Sequence, residues 1–299
     1  MKLYAPKYYK DFECIASRCK HSCCVGWEID VDEKTLEKYS GLECAYAREI
    51  KESIAKRGTP HFKLKKGDRC PHLDKDGLCK IIINLGEEYL CEICKEHPRF
   101  YNQTPKGTEV GLGLSCEEAC RIILSADCYD EIVEIGEEEG CFADFDTGFQ
   151  REKIFRKLKD GNRNLSDKLF EISREYGLDN AFENGQKQLR IISSLEYLDI
   201  ADKSRFLAFS SDAQIPLEFE KQTERFFAYL IYRHLPQALD ERGVKEAVGF
   251  SLFLVKLFVS ILQNEQVKKT EEAFEIARII SEEIEYSQDN TDLIKASIK

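Results

Sequence analysis

The sequence predicts a mainly α-helical protein, with an irregular, cysteine-rich metal-binding module that contains short strands, followed by an α-helical bundle. Two observations predict this fold class. All 13 cysteines lie between Cys14 and Cys141. Beyond them, apolar residues recur at the spacing of helix faces. We therefore place the cysteine-rich module in residues 1–145 and the α-helical domain in residues 146–299.

Ordered elements are few in the first half of the chain. Residues 32–56 favour helix with a break at Ser40-Gly41, which predicts a helix pair between two groups of cysteines. Residues 62–101 are rich in turn signals, and the β-branched run Ile81 to Ile83 indicates a short strand. Residues 117–127 predict a further helix. We expect bound ligands to organise the irregular segments.

The second half contains six segments with apolar residues at helical spacing, joined by short links. No convincing internal repeat connects them, so a bundle is favoured over a solenoid. The polar tail, residues 287–299, is expected to fray. The six predicted helices are residues 149–158, 165–176, 181–198, 217–235, 244–262 and 270–286.

Membrane and secretory classes are disfavoured. The longest apolar stretch, residues 250–262, is interrupted by Ser251, Lys256 and Ser260 and is shorter than the roughly 20 residues of a spanning helix. The first residues carry no apolar signal core and no lipidation motif. We expect a cytoplasmic protein without a membrane partner, and no oligomeric state follows from the sequence.

The charge balance also limits the partners. With 55 acidic and 44 basic residues the formal net charge is −11, which argues against a nucleic-acid partner because phosphate contacts require clustered Lys and Arg. An acidic surface suits a basic partner, although it also serves solubility alone.

The number of cysteines points to metal or redox chemistry. Thirteen thiols cannot pair completely, and in a reducing compartment dense cysteine usage favours metal ligation over a disulfide framework. The first group, Cys14-x4-Cys19-x3-Cys23-Cys24, is too clustered for core packing. Because neighbouring side chains diverge, either two metal centres share this segment or one thiol of the Cys23-Cys24 pair is structural.

Three further groups follow along the chain. Cys70-Pro71 precedes Cys79 across an acidic turn, and a cysteine before proline commonly accompanies metal sites. Cys91 and Cys94 have the spacing of a zinc half-site, followed by His97, which we interpret as a hydrogen-bonded or solvent-facing residue rather than a ligand. Cys116-x3-Cys120 is the last group.

Two common cofactor motifs are missing from the sequence. The third cysteine of a radical Cys-x3-Cys-x2-Cys loop is replaced by Gly26 after the first group and by Ile123 after the last. Gly111-Leu112-Gly113 lacks the further glycine of a dinucleotide-binding loop. Radical chemistry and a dinucleotide fold are therefore disfavoured.

The order of these residues resembles the flagellin lysine-N-methylase family, most clearly over about residues 4–125. The resemblance is carried by the run from Tyr8 to Cys14, by Cys23-Cys24-Val25-Gly26-Trp27, by Cys70-Pro71-His72-Leu73 with Gly77-Leu78-Cys79, by Leu85 to Leu90, by Cys94 with Pro98-Arg99, and by Leu114 to Ala119. A looser match lies around Arg225 to Leu235. This chain has His97 where the family commonly has tyrosine.

The resemblance implies transfer of methyl groups from S-adenosylmethionine to lysine side chains of flagellin. It also implies an eight-cysteine zinc- or iron-chelating module, in which we favour a 4Fe-4S iron–sulfur cluster and keep zinc as the alternative. The metal-ligand positions that it implies are Cys14, Cys19, Cys23, Cys24, Cys70, Cys79, Cys94 and Cys116. The remaining cysteines are expected to pack without ligating: Cys44, Cys91, Cys120, Cys128 and Cys141.

No catalytic residue is assigned. The transfer needs a group that removes a proton from the lysine ammonium, and Tyr4, Tyr8, Tyr9 and Glu13 adjoin the first cysteine group, where Trp27 is a candidate to cover a cation. We expect each to be a core or surface residue. The competing functions are a non-enzymatic metal- or redox-sensing interaction module and, less favoured, an electron carrier.

Overall fold

The structure is a computed structural model that describes residues 1–55, 57–178, 181–182 and 184–298. It is mostly helical, which confirms the mainly α prediction. The chain forms two compact units, one of residues 13–99 and one of residues 1–12 together with 100–299. The predicted division near residue 145 marks where the cysteines end, and as a domain boundary it stays a prediction.

Short elements make up the 13–99 unit. Its helices are α1 (Glu33–Ser40), α2 (Ala47–Ser53), α3 (Lys80–Leu85) and α4 (Glu92–Glu96), with 3₁₀ turns at Ala16–Arg18 and Glu87–Tyr89. Two-residue strands, Ile54–Ala55 and His61–Phe62, pair antiparallel. The helix pair predicted in residues 32–56 is thus present as α1 and α2, whereas Ile54 and Ala55 form a strand and Lys56 lies outside the described residues.

The run Ile81 to Ile83 forms part of α3, so the strand expected there was wrong. The preference of β-branched side chains for strands depends on cross-strand neighbours to pack against and is readily overridden by tertiary context. Here the segment follows directly on the turn at Asp74 to Leu78, and only Ile81 is buried, at 2% exposure.

The larger unit contains a mixed four-stranded sheet. Its strands are β1 (Lys2–Pro6), β4 (Arg99–Thr104), β5 (Gly107–Leu112) and β6 (Ile132–Glu137). The labels β2 and β3 denote the two short strands of the 13–99 unit, Ile54–Ala55 and His61–Phe62. The spatial order is β4-β5-β1-β6. β1 runs parallel to β5 and antiparallel to β6, with a register shift between Leu3 and Tyr4.

The rest of this unit is helical around the long apolar helix α11. α11 and α10 carry the most continuous runs of buried residues, which is what a helix surrounded on all sides requires. 3₁₀ turns lie at Lys7–Asp11, Leu217–Phe219 and Leu235–Gln237, and a π-helical segment at Ser281–Glu285. The helices are α5 (Glu117–Ser125), α6 (Gly148–Leu158), α7 (Leu165–Glu175), α8 (Gly185–Ser194), α9 (Ile200–Phe206), α10 (Glu220–His234), α11 (Glu241–Asn264), α12 (Thr270–Ile280) and α13 (Gln288–Ser297).

All six predicted helices of the second half are present, with shifted ends. The tail was expected to fray but instead forms α13, because Ile294 and Ile298 are buried at 0% and 7% exposure in the core of the unit. Three large aliphatic residues in this polar segment, Leu293, Ile294 and Ile298, are too few for a periodicity argument. No helix among the described residues is long and apolar enough to cross a membrane.

Candidate functional site

The backbone of the 13–99 unit brings distant cysteines together. The N–H of Cys70 donates to the carbonyl of Cys24 at 2.8 Å, so the first and second cysteine groups lie on paired segments. A bridge between Leu73 and Cys79 closes the acidic turn and returns the chain beside Cys70. The turn is held by the Asp74 side chain, which accepts the N–H groups of residues 76 and 78.

Five cysteines form one group, which we call the thiol set: Cys24, Cys70, Cys79, Cys91 and Cys94. Their side chains act on one another's ionisation, and those of Cys91 and Cys94 hydrogen-bond directly. Cys70 and Cys91 are buried at 5% and 0% exposure, and the other three pack against the same core. The thiols therefore converge on the interior of the unit.

Backbone donors are directed at two of these sulfurs. The N–H groups two and three residues beyond Cys70 point at its sulfur, and the same two offsets recur at Cys79. Such donors favour the thiolate over the thiol and are a common feature of metal-bound cysteines. The two turns thus present their sulfurs in the manner that ligation requires.

The thiol set is electrostatically uneven. A hydrogen bond with Cys23, aided by Ser22 and Arg69, lowers the pKa of Cys24 to about 7 in spite of its burial. Burial raises the pKa of Cys70 to about 12 and also raises that of Cys79. The hydrogen bond with Cys94 lowers the pKa of Cys91 as well, so Cys24 and Cys91 are the members whose thiolates form most readily.

The donor atoms of the thiol set fit a thiophilic metal, zinc or iron–sulfur. In the part of the chain that the structure describes, however, no three Cys, His, Asp or Glu side chains are arranged closely enough to hold one ion. The sulfurs are thus neighbours rather than a closed ligand shell.

The structure distributes the eight predicted ligands unevenly. Cys24, Cys70, Cys79 and Cys94 belong to the thiol set. Cys23 contacts it through Cys24. Cys14 and Cys19 lie nearby in sequence, where the Cys14 sulfur accepts a backbone N–H from Ala16 at 3.4 Å and the Cys19 thiol donates to the carbonyl of His21 at 3.3 Å. Cys116 belongs to the larger unit and begins α5.

Cys91 is the residue that the sequence reasoning assigned to plain packing and that the structure adds to the thiol set. Its sulfur also lies 3.8 Å from the Tyr39 hydroxyl. The signal was the Cys91-x2-Cys94 spacing, which places both thiols on the first turn of α4. Of the other extra cysteines, Cys120 packs in the core as expected, whereas Cys44 and Cys141 are exposed.

The two histidines near the thiol set, His72 and His97, contact other side chains. Both ring nitrogens of His72 have partners, the Tyr46 hydroxyl at 2.5 Å and the Ser53 hydroxyl at 2.9 Å. His97 lies with its ring 6.1 Å from that of Trp27, and burial lowers the pKa of each histidine to about 4. Both are therefore neutral at physiological pH.

The proposed aromatic candidates have structural contacts. The Trp27 indole N–H donates to the Cys23 carbonyl at 2.6 Å, so this ring braces the Cys23-Cys24 turn. Tyr8 is a core residue of the larger unit at 4% exposure, as expected. Glu13 is exposed, and neither Tyr4 nor Tyr9 is fully buried.

The helical core contains a polar cluster that the sequence reasoning missed. Glu285, at the end of the π-helical segment, accepts hydrogen bonds from Tyr229 at 3.1 Å and contacts His234 Nε2 at 2.6 Å. Arg233 donates to the Tyr229 hydroxyl at 2.7 Å and lies 3.4 Å from Glu285. Glu285 is fully buried, so its partners must compensate its charge.

Comparison with known proteins gives partial similarities. The chain is 28% identical over 168 residues to the flagellar biosynthetic protein FliU of Salmonella muenchen, which covers 54% of this chain and 93% of that protein. It is 31% identical over 127 residues to lysine-N-methylases of Salmonella choleraesuis and Salmonella typhimurium, and this match covers 40% of this chain. The match spans only 32% of each lysine-N-methylase. No family model and no solved structure matches.

Proposed function

We propose that this chain is a protein-lysine N-methyltransferase that transfers methyl groups from S-adenosylmethionine to lysine side chains of flagellin in the cytoplasm. The similarity to proteins named lysine-N-methylase carries the proposal. The name of FliU supports a flagellar substrate. The net charge of −11 favours approach of a lysine-bearing segment over that of an acidic one.

The eight cysteines of the resemblance are proposed to hold the metal, with a 4Fe-4S cluster first and zinc as the alternative. The convergence of the thiol set supports a thiolate-bound group inside the 13–99 unit. When bound, such a group supplies a cross-link between segments that few apolar contacts hold. Cys91 lies against Cys94, a proposed ligand, and its sulfur accepts the hydrogen bond that the Cys94 thiol donates.

The reaction sets defined demands on the protein. The lysine nitrogen must lose a proton before its lone pair can form the new N–C bond while the S–C bond of the sulfonium breaks. S-adenosylhomocysteine then leaves. A carboxylate can take this proton as a general base, and a desolvated pocket can lower the pKa of the lysine; we assign no residue to this step.

The test is the mass of flagellin from the same organism, co-expressed with this chain and mapped lysine by lysine. We expect methyl increments on lysine with the intact chain, and their loss with Cys24→Ser. Cys44→Ser is the matched control, because Cys44 lies in the same unit but is exposed and outside the thiol set.

Unmodified flagellin beside a folded, metal-loaded protein would overturn the enzyme proposal and favour a metal- or redox-sensing interaction module. Methylation that persists in Cys24→Ser with full metal content would overturn the role of the thiol set while leaving the activity in place. Metal analysis of each purified variant separates these outcomes.

A further inference from the structure

A groove lies between two helices of the larger unit, away from the cysteines in sequence. It has a volume of about 390 Å³ and is bounded by one face of α7, one face of α11 and the segment of residues 211–215. Both helix faces contribute residues at the i, i+3, i+4, i+7 spacing, which is the spacing of one continuous stripe. The volume falls in the lower part of the range typical of small-molecule sites.

The walls of this groove are mainly apolar, and its polar groups come from α7, from Lys256 and from the segment of residues 211–215, which includes Asp212. Leu169 from α7 and Val255 and Val259 from α11 supply the apolar surface. Ser166 and Ser173, one turn on either side of Leu169, supply the hydroxyls. A largely apolar pocket with a few polar groups is the usual composition of a ligand site.

Lys256 is the charged residue that makes the groove unusual. It stands in the otherwise apolar middle of α11, and its ammonium donates to the carbonyl of Ala213 at 3.3 Å. Among the residues that the structure describes, no carboxylate pairs with it within 4 Å, and Asp212 acts on it only at longer range. Burial lowers its pKa.

Lys256 is partly exposed in the groove, and its ammonium has one neutral acceptor within hydrogen-bond distance. A methionine or leucine at this position would continue the apolar face of α11. The lysine instead gives the groove a positive charge, with which an anionic group in the groove can pair more closely than Asp212 does.

We propose that this groove binds an amphipathic carboxylate, with its hydrocarbon part along Leu169, Val255 and Val259 and its carboxylate paired with Lys256. A medium-chain fatty acid has this chemistry: one negative charge at the end of a flexible apolar chain. The site is independent of the thiol set and of the proposed methyl transfer.

The test is calorimetric titration of the full chain with decanoate and with decan-1-ol, a neutral ligand of the same chain length. We expect decanoate to bind at least about 10-fold more tightly than the alcohol, which is the effect of one charge-assisted contact. In Lys256→Met this preference should vanish while the alcohol still binds, and Lys256→Arg should restore it.

Lys245→Met is the matched control, since it removes a lysine from the same helix outside the groove. It should keep the preference for decanoate. Equal affinity for acid and alcohol, failure of both to bind, or an unchanged preference in Lys256→Met would each overturn the proposal. Thermal melting of the variants verifies that all are folded, because methionine favours helix as well as lysine does.

Discussion

The two compact units build their interiors by different means. Among the described residues, the buried core of the 13–99 unit has ten members, two of which are cysteines, whereas the core of the larger unit has more than fifty, almost all of them aliphatic or aromatic. A small unit buries a small share of its surface and needs cross-links that a large one does not. In the 13–99 unit the thiol set therefore occupies part of the interior that apolar side chains fill in the larger unit.

Polar groups follow the same division. In the larger unit the buried charge of Glu285 is compensated by side chains of α10, Tyr229, Arg233 and His234, inside an already extensive core. In the 13–99 unit the thiol set is central, and its hydrogen bonds come from backbone N–H groups at Cys70 and Cys79 and from neighbouring thiols and hydroxyls at the other members. Loss of one side chain should therefore have unequal consequences in the two units.

The largest effect is expected from Cys70→Ser. Removal of a buried member of the thiol set should loosen the whole 13–99 unit if the set holds the proposed metal, because structural metal sites contribute on the order of 10 kcal/mol to folding. Limited trypsin digestion should then cut within residues 13–99 at least about 10-fold faster than in the unmodified chain.

Cys44→Ser should leave the digestion rate unchanged, because Cys44 is exposed. A strong metal chelator added to the unmodified chain should reproduce the effect of Cys70→Ser. Equal digestion of both variants would break the comparison, since the thiols would then be ordinary packing groups.

The next largest effect is expected in the helical core. Glu285→Ala should lower the free energy of unfolding by about 3–5 kcal/mol, because it leaves Arg233 and its hydroxyl partner buried without their carboxylate. Urea unfolding followed by circular dichroism measures this change. Glu282→Gln is the control, as its partly exposed pair with Arg278 should be worth less than about 1 kcal/mol.

A loss of less than about 1 kcal/mol in Glu285→Ala would show that the polar cluster adds little to the apolar core around it. The two units would then differ in the size of their cores and not in how they compensate buried polar groups.

Sequence alone predicted the larger unit better than the smaller one. Apolar spacing identified six helices, since each needs one face buried and its period is visible in the residues. It missed α9 and α13, which are short and polar and are fixed by tertiary packing, as at Ile294. It also missed the Glu285 cluster, because the partners of a buried carboxylate are distant in sequence.

In the 13–99 unit the cysteine spacing predicted that thiols form a site but not which cysteines belong to the thiol set. Cys91 was set apart from Cys94 by the family pattern, although the two face each other on one turn. Local spacing shows which thiols share a turn. Which turns meet is decided by backbone bonds such as that between Cys70 and Cys24, which no pattern displays.

The pH dependence of the unfolding free energy should change when His234, a member of the polar cluster around Glu285, is replaced. Burial lowers the pKa of His234 to about 4 from an ordinary value of 6.5 in spite of the raising contact with Glu285, while Arg233 and Lys295 lower it further. The unfolded chain then binds a proton that the folded one does not, so stability present above pH 6.5 is lost as the pH falls toward 4.

This loss amounts to at most about 3 kcal/mol for one group. The pKa of Glu285 is also lowered in the folded chain, which adds a loss of the same sign at still lower pH. Between pH 6.5 and 4.5 the unfolding free energy of the unmodified chain should decrease as the pH falls. In His234→Gln the slope of this decrease should be smaller, by an amount that corresponds to the uptake of nearly one proton. An unchanged slope would show that His234 is protonated in the fold.

The smallest expected effects concern the starts of helices, where the units again differ. Five helices of the larger unit begin with a side chain that accepts a backbone N–H, at Asn164, Asn184, Asp199, Asp240 and Ser287. In the 13–99 unit only α1 has such a cap among the described helices, from Asp32.

Asp240→Ala should cost about 1 kcal/mol, the usual value of an N-cap, because the long helix α11 is otherwise fixed by its buried faces. Asp32→Ala should accelerate tryptic cleavage within residues 13–99 by more than the loss of an ordinary N-cap would. Asp32 accepts the N–H of Thr35 in α1 and also that of Glu92 at 2.9 Å, and so ties α1 to the turn that carries Cys91. If the two changes proved equally mild, α4 would be held by the thiols alone, and the dependence of this unit on the thiol set would be greater than the apolar count indicates.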